Sequence, residues 1–382
     1  MNEATEQLIT SLVLEKVHER LGANFRNERG WRVPATYGDE KSEYAAVREG
    51  GAGLLDLSSR SRIRVSGSEA IMFLNGLITN DMKTLAENHW MAAAFPNVQG
   101  RLIAAVRVTR LANEPASKKT SPTFLLETEA ATHESVLKTI TRFTMAGDFH
   151  VTDITSETTL LSVQGKGATE ITRKVLGEAA AQIPPDGALE IDWRQSTVTV
   201  IRATHTGEDG FDLIVKSTQA YAMWESLIGA EAQPVGHDAL EILRIEAGIA
   251  RYGHDMDETN VVTETNLDDA VSFTKGCYIG QEIIARIKYR GHVAKKLTGL
   301  MFEGNELIDV RAAIKSEEGK DIGRITSVAQ SPGLGRTIAL GYVRYEYLGP
   351  GTKVKVIAGE REAVATVNQL PFVRGSWAEN QV

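Results

Sequence analysis

Cysteine is almost absent from this sequence. Cys277 is the single cysteine among 382 residues. One thiol cannot form a disulfide within the chain, and no grouping of cysteine and histidine has the spacing of a structural zinc site. We therefore expect no internal disulfide and no metal site built from several cysteines, and we assign no metal ligands.

Long apolar runs and a surplus of positive charge are also lacking. No stretch approaches the roughly 20 apolar residues that cross a membrane, and residues 1–21 lack the basic start, apolar block and cleavage site of a secretory signal. We therefore expect a soluble cytoplasmic protein without membrane contact. The net charge of −8 argues against general nucleic-acid binding, which needs surplus lysine and arginine to neutralise phosphates. Any surface for an anion, or for tRNA, must be local.

What the sequence does contain is enough apolar material for two or three lobes, because 382 residues exceed the usual size of one core. Helical spacing of apolar residues over 5–21 predicts an amphipathic helix in an N-terminal segment, 1–29. Over 30–290, short strands mixed with helices predict α+β lobes, and not a parallel doubly wound sheet, with an exposed loop at 113–122. Over 291–382 the pattern is almost purely β and predicts a compact barrel or sandwich.

The most informative stretch is Thr274–Glu282, which reads TKGCYIGQE. We expect a helix to begin near Cys277, which would place the thiol at the positive end of the helix dipole, with Lys275 as a nearby cation. Both effects favour the thiolate, so Cys277 is the candidate catalytic residue. The alternative is a buried and inert thiol.

Basic residues alternate with apolar ones directly after this stretch. If the segment is extended, Arg286, Lys288 and Arg290 share one face, because strand side chains alternate sides. Such a face could hold a polyglutamate tail, a phosphate or RNA. The alternative is a strand edge whose charges prevent aggregation.

A turn rich in glycine, Thr206–Phe211, carries the carboxylate of Glu208 just before a predicted strand. A fixed carboxylate there can accept paired N–H donors from a guanidine-like edge, such as that of a pterin. Asp and Gly also mark ordinary turns, so the motif alone is weak. Arg244, on a predicted helix, could clamp a carboxylate or form a local ion pair.

A series of short blocks runs along nearly the whole chain from Gly30 onward. The blocks are Gly30–Pro34, Ala46–Glu49, Leu55–Ser58, Val65–Gly67, Phe73–Asp81, Asn97–Arg101, Thr206–Phe211, Leu243–Gly248, Tyr252–Asp255 and Lys275–Glu282. Together they resemble the aminomethyltransferase (GcvT) superfamily. The last block matches the KGCYxGQE signature of its YgfZ-type branch, folate-binding proteins linked to iron–sulfur cluster maintenance. Residues before Gly30 fall outside this resemblance.

The resemblance implies a fold and a ligand. It implies a cloverleaf of three lobes around a central channel that holds tetrahydrofolate or a one-carbon derivative, followed by a C-terminal β-barrel. In that channel Glu208 would grip the pterin, with Arg244, Tyr252 and Lys275 as further cofactor-binding candidates. Cys277 would sit near the channel, and the basic segment from Arg286 could meet the glutamate tail.

One departure from the superfamily pattern concerns the strand after the turn Asn97–Gly100. The glycine-cleavage enzyme carries there an aspartate that aminomethyl transfer requires, and the matching positions in this chain are Ala104 and Ala105. Since proton-transfer and electrostatic assistance supply several kcal/mol of barrier lowering, we expect no aminomethyltransferase activity.

Three functions fit these observations. The first is a folate-binding accessory protein that supports assembly or repair of iron–sulfur clusters in client enzymes through Cys277. The second is a folate-dependent transferase or demethylase, with modified tRNA as a candidate substrate, in which a different base replaces the missing carboxylate. The third is a scaffold with a vestigial folate pocket, against which the retained Glu208 turn counts.

Overall fold

The computed structural model describes residues 9–112 and 121–379. In chain order the strands are β1 Thr10–Ser11, β2 Asn24–Glu28, β3 Trp31–Thr36, β4 Gly53–Asp56, β5 Ser61–Ser66, β6 His89–Pro96, β7 Leu102–Leu111, β8 Thr123–Thr128, β9 His150–Asp153, β10 Thr158–Gln164, β11 Ala188–Trp193, β12 Ser196–Arg202, β13 Gly210–Lys216, β14 Gln233–Pro234, β15 Lys295–Phe302, β16 Ala313–Lys315, β17 Asp321–Ser331, β18 Arg336–Arg344, β19 Lys353–Ala358 and β20 Arg361–Asn368. The helices are α1 Glu15–Arg20, α2 Glu40–Arg48, α3 Ala70–Leu77, α4 His133–Thr141, α5 Ala168–Leu176, α6 Glu178–Ala181, α7 Ala220–Gly229, α8 His237–Glu246, α9 Gln281–Arg290 and α10 Ser376–Glu379.

The first sheet has six strands in the order β11-β12-β13-β10-β4-β14. Its central strands β10 and β13 pair in antiparallel register from Thr158 opposite Lys216 to Gln164 opposite Gly210. Both are buried along most of their length because helices cover the two faces: α5 and α7 pack on one face and α8 on the other. This double burial is consistent with apolar side chains on both faces of each strand, such as Leu160 and Leu161 of β10 and Leu213 and Ile214 of β13.

The second sheet has five strands in the order β6-β7-β8-β5-β9, with α3 and α4 packed on one face. In the sequence, its strands β5 to β9 fall between β4 and β10 of the first sheet. The two sheets are therefore interleaved along the chain. The chain passes from the first sheet to the second after β4 and returns to the first sheet after β9. This arrangement makes the junction of the sheets a place where residues distant in sequence meet.

The C-terminal strands close into a barrel, in the order β15-β18-β17-β16-β19-β20. Alternate residues of each strand point inward, for example Val354 and Val356 of β19, and form a separate apolar core. The prediction of a β-barrel is confirmed. Its first strand begins at Lys295, four residues after the expected boundary at 291.

The prediction of one amphipathic helix over 5–21 is wrong. Residues 1–8 lie outside the described part, Thr10 and Ser11 form a strand parallel to β3, and only Glu15–Arg20 is helical. Strand β2 then pairs antiparallel with β3, so residues 24–28 belong to the same small sheet as the residues that follow. Thr10 and Ser11 are extended and not helical because the edge of β3 offers hydrogen-bond partners for their backbone groups. Residues 113–120 of the predicted loop 113–122 also lie outside the described part.

The lengths of the helices bear on membrane contact. Within residues 9–112 and 121–379, no helix is long and apolar enough to cross a membrane.

Candidate functional site

A cavity of about 240 Å³ lies where the two large sheets, helix α8 and the C-terminal segment meet. We call it the central cavity. Its wall is mainly apolar and includes two indole rings, with these members: Leu57, Trp90, Ala92, Ala93, Ala105, Val106, Ala203, Leu240, Ile249, Ala250, Met256, Leu267 and Trp377. An apolar wall with a few placed polar groups is typical of small-molecule sites.

The polar wall residues belong to buried charge networks. They are Ser59, Arg60, Arg107, Glu129, Thr204, His205, His237, Arg244, Arg251 and Tyr252. The guanidinium of Arg107, on β7, donates to the carboxylates of Glu127 and Asp212 and lies 5.7 Å from the ring centre of Trp90. Burial lowers the pKa of Arg107, but these two carboxylates outweigh burial and raise it above its ordinary value. Arg107 is therefore a fixed cation at the cavity wall.

The side chain of His205 pairs with a carboxylate behind the wall. His205 Nε2 lies 3.0 Å from both carboxylate oxygens of Asp212, which is fully buried on β13. Burial raises the pKa of Asp212, but His205 and Arg107 together hold it well below its usual range. A charged carboxylate that fixes a histidine ring at a cavity wall is an arrangement that can move a proton to or from a bound molecule.

The edge of the cavity near Arg251 retains unused hydrogen-bonding capacity. Arg251 pairs through Nη2 with Glu28, at 2.6 Å, and with Glu129, at 3.2 Å. Its Nη1 makes no hydrogen bond, with a Glu241 carboxylate oxygen at 3.6 Å, and His237 Nδ1 makes none either, with Glu28 at 3.5 Å. Buried polar atoms are normally bonded, so these two atoms at the wall are suited to a ligand.

Glu208 does not line the central cavity. Its side chain is buried, with Oε1 accepting from Arg48 Nη1 at 2.6 Å and Oε2 accepting from the backbone N–H and the hydroxyl of Ser376 at 2.8 and 2.6 Å. These bonds tie the turn after β12 to the first residue of α10. Trp377, the next residue, lines the cavity, and its backbone N–H donates to the carbonyl of Gly207. In this structure Glu208 supports the wall through its neighbours, and direct contact with a pterin stays a prediction.

Arg244 and Tyr252 both line the central cavity, and their contact with a cofactor stays a prediction. Arg244 is nevertheless committed to protein contacts: it donates to Asp255 at 2.5 Å, to Ser327 at 2.6 Å and to Glu241. It therefore joins α8 to the barrel. Burial, followed by the nearby carboxylate of Glu258, raises the pKa of Tyr252 to about 12, so its hydroxyl remains a donor at neutral pH.

Ala105 lines the central cavity, and Ala104 is buried behind it in the core of the second sheet. The strand that bears them, β7, pairs with β6 so that Ala105 lies opposite Ala94. The match of these two positions to the family's aspartate stays a prediction; the side chain present at the wall is the methyl group of Ala105. Two residues further along β7, Arg107 contributes a positive charge to the same wall.

Lys275 lies away from the central cavity. Its ammonium donates to the carbonyls of Asn75, Ile78 and Asn80, at 2.7, 2.9 and 2.6 Å, and so caps the C-terminal end of α3. Burial is the main reason that the pKa of Lys275 falls to about 8. The structure gives it a capping role, and it does not bring Lys275 to the cavity wall.

Cys277 is exposed and precedes α9, which begins at Gln281. The expectation that the thiol sits in the first turn of a helix is wrong, because Gly280 adopts a left-handed conformation that starts the helix later. The alternative of a buried thiol is also wrong. Cys277 is not among the residues that line the central cavity.

The basic residues after Cys277 do not form one strand face. Arg286, Lys288 and Arg290 lie on α9 and are exposed, and a spacing of two residues turns Lys288 to the side opposite the other two. Arg286 pairs with Glu282, and Lys288 lies over the ring of Phe273. None of the three lines the central cavity. The helix prevails because i and i+4 neighbours such as Glu282 and Arg286 support it.

Sequence reasoning missed four wall residues, Trp90, Arg107, His205 and Trp377, and the carboxylate behind the wall, Asp212. A signal was present for one of them. Asp212 is an isolated carboxylate inside the buried strand GFDLIVK, where a charge needs a partner. The partners come from β7 and from the turn before β13, which only the fold brings together. No group of three metal-ligating side chains occurs in the described ranges.

Comparisons with known proteins agree with this architecture. Residues 14–275 match the family described as GCVT N-terminal domain, and residues 295–374 match the glycine cleavage T-protein C-terminal barrel domain. The aminomethyltransferase of Thermotoga neapolitana is 30% identical, covering 94% of this chain and 96% of its own length. That of Rubrobacter xylanophilus is 32% identical, covering 94% and 93%.

A solved structure shares the whole fold. The glycine cleavage system aminomethyltransferase T from Bartonella henselae is 26% identical, with a TM-score of 0.88 and coverage of 96% of this chain and 98% of that one. The family match begins at residue 14, so the expectation that residues before Gly30 fall outside the resemblance is wrong. Residues 14–29 hold α1 and β2, which are part of the shared domain.

Proposed function

This chain belongs to the glycine cleavage T-protein family, and from that premise we propose that it binds a reduced folate, tetrahydrofolate or a one-carbon derivative, in the central cavity. The observation that carries the proposal is the cavity wall. It combines two indole rings, Trp90 and Trp377, with two polar atoms that lack hydrogen bonds, His237 Nδ1 and Arg251 Nη1. A flat heterocycle whose edge carries both hydrogen-bond acceptors and N–H donors suits such a wall, because Arg251 can only donate and a neutral His237 can accept.

The proposed role is that of an accessory protein for assembly or repair of iron–sulfur clusters, without aminomethyl transfer. Two observations support it. The wall position at Ala105 offers no carboxylate for proton transfer in that reaction, and Cys277 exposes its thiol outside the cavity. One thiolate can ligate a cluster transiently or form a mixed disulfide, although it cannot hold a cluster alone. In this proposal folate and thiol occupy separate places on the molecule, and the KGCYIGQE stretch marks the YgfZ-type branch.

Anaerobic calorimetric titration of tetrahydrofolate into the purified chain tests the folate site. We expect saturable binding that Ala105→Phe weakens at least about 100-fold, because the new ring fills the cavity. Ala358→Phe, on barrel strand β19 and outside the cavity wall, is the matched control and should leave the affinity unchanged. Absence of binding to the wild type, or equal binding to both variants, would contradict the proposal.

The role of the thiol is tested in cells that lack the protein. Restoring the wild type should restore the activity of iron–sulfur enzymes, whereas Cys277→Ser should not, although its folate affinity is unchanged. A Cys277→Ser variant that restores these activities fully would leave no role for the thiol in cluster maintenance.

A second function is favoured by the pair His205 and Asp212. A histidine oriented by a buried carboxylate supplies a base in the same cavity from which the expected carboxylate is missing. The chain would then transfer a one-carbon group to tetrahydrofolate. The new carbon–nitrogen bond would form as the bond between that carbon and the donor's heteroatom breaks, with the bonding pair staying on the donor. The proton of the folate nitrogen would pass to His205, which returns it to the released donor. Methylated donors, including modified tRNA, are incubated with the chain and tetrahydrofolate, and methylated folate is measured. His205→Gln should abolish product without abolishing folate binding; no product from the wild type with any donor excludes those donors as substrates.

A further inference from the structure

A second pocket, of about 640 Å³, lies between the N-terminal sheet and the barrel. We call it the arginine pocket. Four arginines line it, Arg26, Arg29, Arg311 and Arg324, together with the three carboxylates Glu28, Glu241 and Asp257. On a chain with a net charge of −8, such a concentration of guanidinium groups in one concave surface is a local reversal of charge.

Most of these guanidinium groups are not neutralised by the carboxylates beside them. Within the described residues, neither Arg29 nor Arg311 forms an ion pair, and the carboxylate nearest to Arg324 is Asp257 at 4.0 Å. Arg29 donates only to the carbonyl of Gly253. Arg26 is the exception, since it pairs with Glu28 and with Asp238. Arg29 and Arg311 therefore have no ion pair among the described residues, and Arg324 has only the long contact with Asp257, so these three guanidinium groups can donate to an anionic ligand.

Two of the three arginines occupy backbone conformations that disfavour a side chain. Arg29 has φ of +53° and Arg311 has φ of +74°. A non-glycine residue in the left-handed region costs about 1 kcal/mol relative to glycine. Strained residues of this kind tend to occur at functional sites. The two arginines lie far apart in sequence but line the same pocket, so the strain at both positions supports a function for their side chains.

The arginine pocket shares walls with the central cavity through a narrow space. That space, of about 10 Å³, is lined by Glu129, Arg251 and Tyr252, which also belong to the central cavity or its ion pairs, and by Glu28, Arg29 and His254, which also line the arginine pocket. Arg251 lines both the central cavity and this narrow space, and it is held by Glu28 and Glu129. A ligand that passes through the narrow space would meet this side chain and offer it a further carboxylate partner.

We propose that the arginine pocket binds the carboxylate tail of a polyglutamylated reduced folate whose ring system lies in the central cavity. The inference rests on the proposed folate binding and names the form of the ligand. Each added glutamate brings one carboxylate, and arginine forms paired, charge-assisted hydrogen bonds with carboxylates. It also replaces the predicted tail site on Arg286, Lys288 and Arg290, which are exposed on α9 and line neither space.

The test compares tetrahydrofolate carrying one glutamate with the form carrying five, by anaerobic calorimetry on the full chain. We expect the pentaglutamate form to bind about tenfold or more tightly, and the double variant Arg311→Gln with Arg324→Gln to lose that gain while its affinity for the monoglutamate form stays within about twofold. Arg361→Gln, at an exposed position on β20 outside both spaces, is the matched control and should keep the gain. Retained monoglutamate binding also shows that the double variant is folded.

The outcomes separate this inference from the proposal beneath it. If the wild type binds neither form, the folate site itself is wrong. If it binds the monoglutamate form but shows no preference for five glutamates, or if the double variant keeps the preference, the tail site is wrong. Free penta-γ-glutamate should compete with the pentaglutamate form and not with the monoglutamate form. If inorganic phosphate at equal ionic strength competes as well as that peptide, the pocket is a general anion site and the assignment to a glutamate tail fails.

Discussion

The ring of His205 lies 3.0 Å from both carboxylate oxygens of Asp212, and the same carboxylate accepts a hydrogen bond from Arg107. Asp212 is fully buried, whereas His205 and Arg107 line the central cavity. One buried negative charge thus fixes two cavity residues that come from different sheets. Asp212 therefore both holds the two lobes together and sets the positions of the polar groups at the cavity wall.

This relationship predicts strong coupling between the two residues. Asp212→Asn leaves Arg107 and His205 around a neutral amide, and breaking a buried ion pair in this way costs about 3 to 5 kcal/mol. We expect a loss of that order in the free energy of unfolding, measured with urea at neutral pH. Asp192→Asn, at an exposed position on β11, should change it by less than about 0.5 kcal/mol. In a double-mutant cycle with His205→Ala, a coupling energy below about 0.5 kcal/mol would show that the two side chains act independently.

The hydrogen bonds of Glu208 predict that its replacement acts first on stability. Glu208→Gln weakens the contacts with Arg48 and with Ser376, and we expect the free energy of unfolding to fall by about 3 kcal/mol. Ser376→Ala removes the hydroxyl that donates to Glu208 and that accepts from the buried N–H of Asp209, and it should cost about 2 kcal/mol. If Glu208→Gln instead weakens folate binding with unchanged stability, Glu208 contacts the ligand directly and leaves the position seen here.

The fold was largely readable from the sequence because its elements have strong local patterns. Lys353 to Val356 alternates strictly, as expected of a barrel strand with one face inward, and the helix Ala168–Leu176 buries Ala168, Ile171 and Leu176, which are spaced as one helix face requires. The prediction of one helix over residues 5–21 was wrong for a physical reason. Thr10 and Ser11 pair with β3, and a partner strand supplied by the tertiary structure overrides weak local preference.

The site was less readable, because its residues meet only through long-range pairing. Arg107 reaches Asp212 across 105 positions of sequence, since the second sheet is inserted between strands of the first. The glycine-rich turn drew attention to Glu208, whereas Asp212, four residues later on β13, was not singled out. Only the register of β13 with β10 shows that Asp212 lies toward the cavity, opposite Ser162, while Glu208 lies toward α10.

The position of Cys277 predicts a reactive thiol that is separate from the folate site. Ellman's reagent should modify one thiol in the folded protein, without denaturant, because Cys277 is exposed. Cys277→Ser should give no reaction and should bind tetrahydrofolate within about twofold of the wild type. Protection of the thiol by saturating tetrahydrofolate would contradict this separation and would place Cys277 at the ligand.

The buried ammonium of Lys275 predicts a pH-dependent contribution to stability. Burial lowers its pKa from 10.5 to about 8, so between these values the unfolded chain binds more protons than the folded one, and stability from this group rises with pH. Lys275→Met removes the titration and leaves the carbonyls of Asn75, Ile78 and Asn80 without their donor.

We therefore expect the variant's free energy of unfolding to lie about 2 kcal/mol below that of the wild type at neutral pH. This deficit should grow by on the order of 2 kcal/mol between about pH 7 and about pH 10. Urea unfolding at both pH values measures the difference, with Lys41→Met, at an exposed position on α2, as the control that should show no such growth. A deficit that shrinks as the pH rises would contradict this prediction. It would mean that the three carbonyls stabilise the charged ammonium by more than burial destabilises it, so that folding raises the pKa of Lys275.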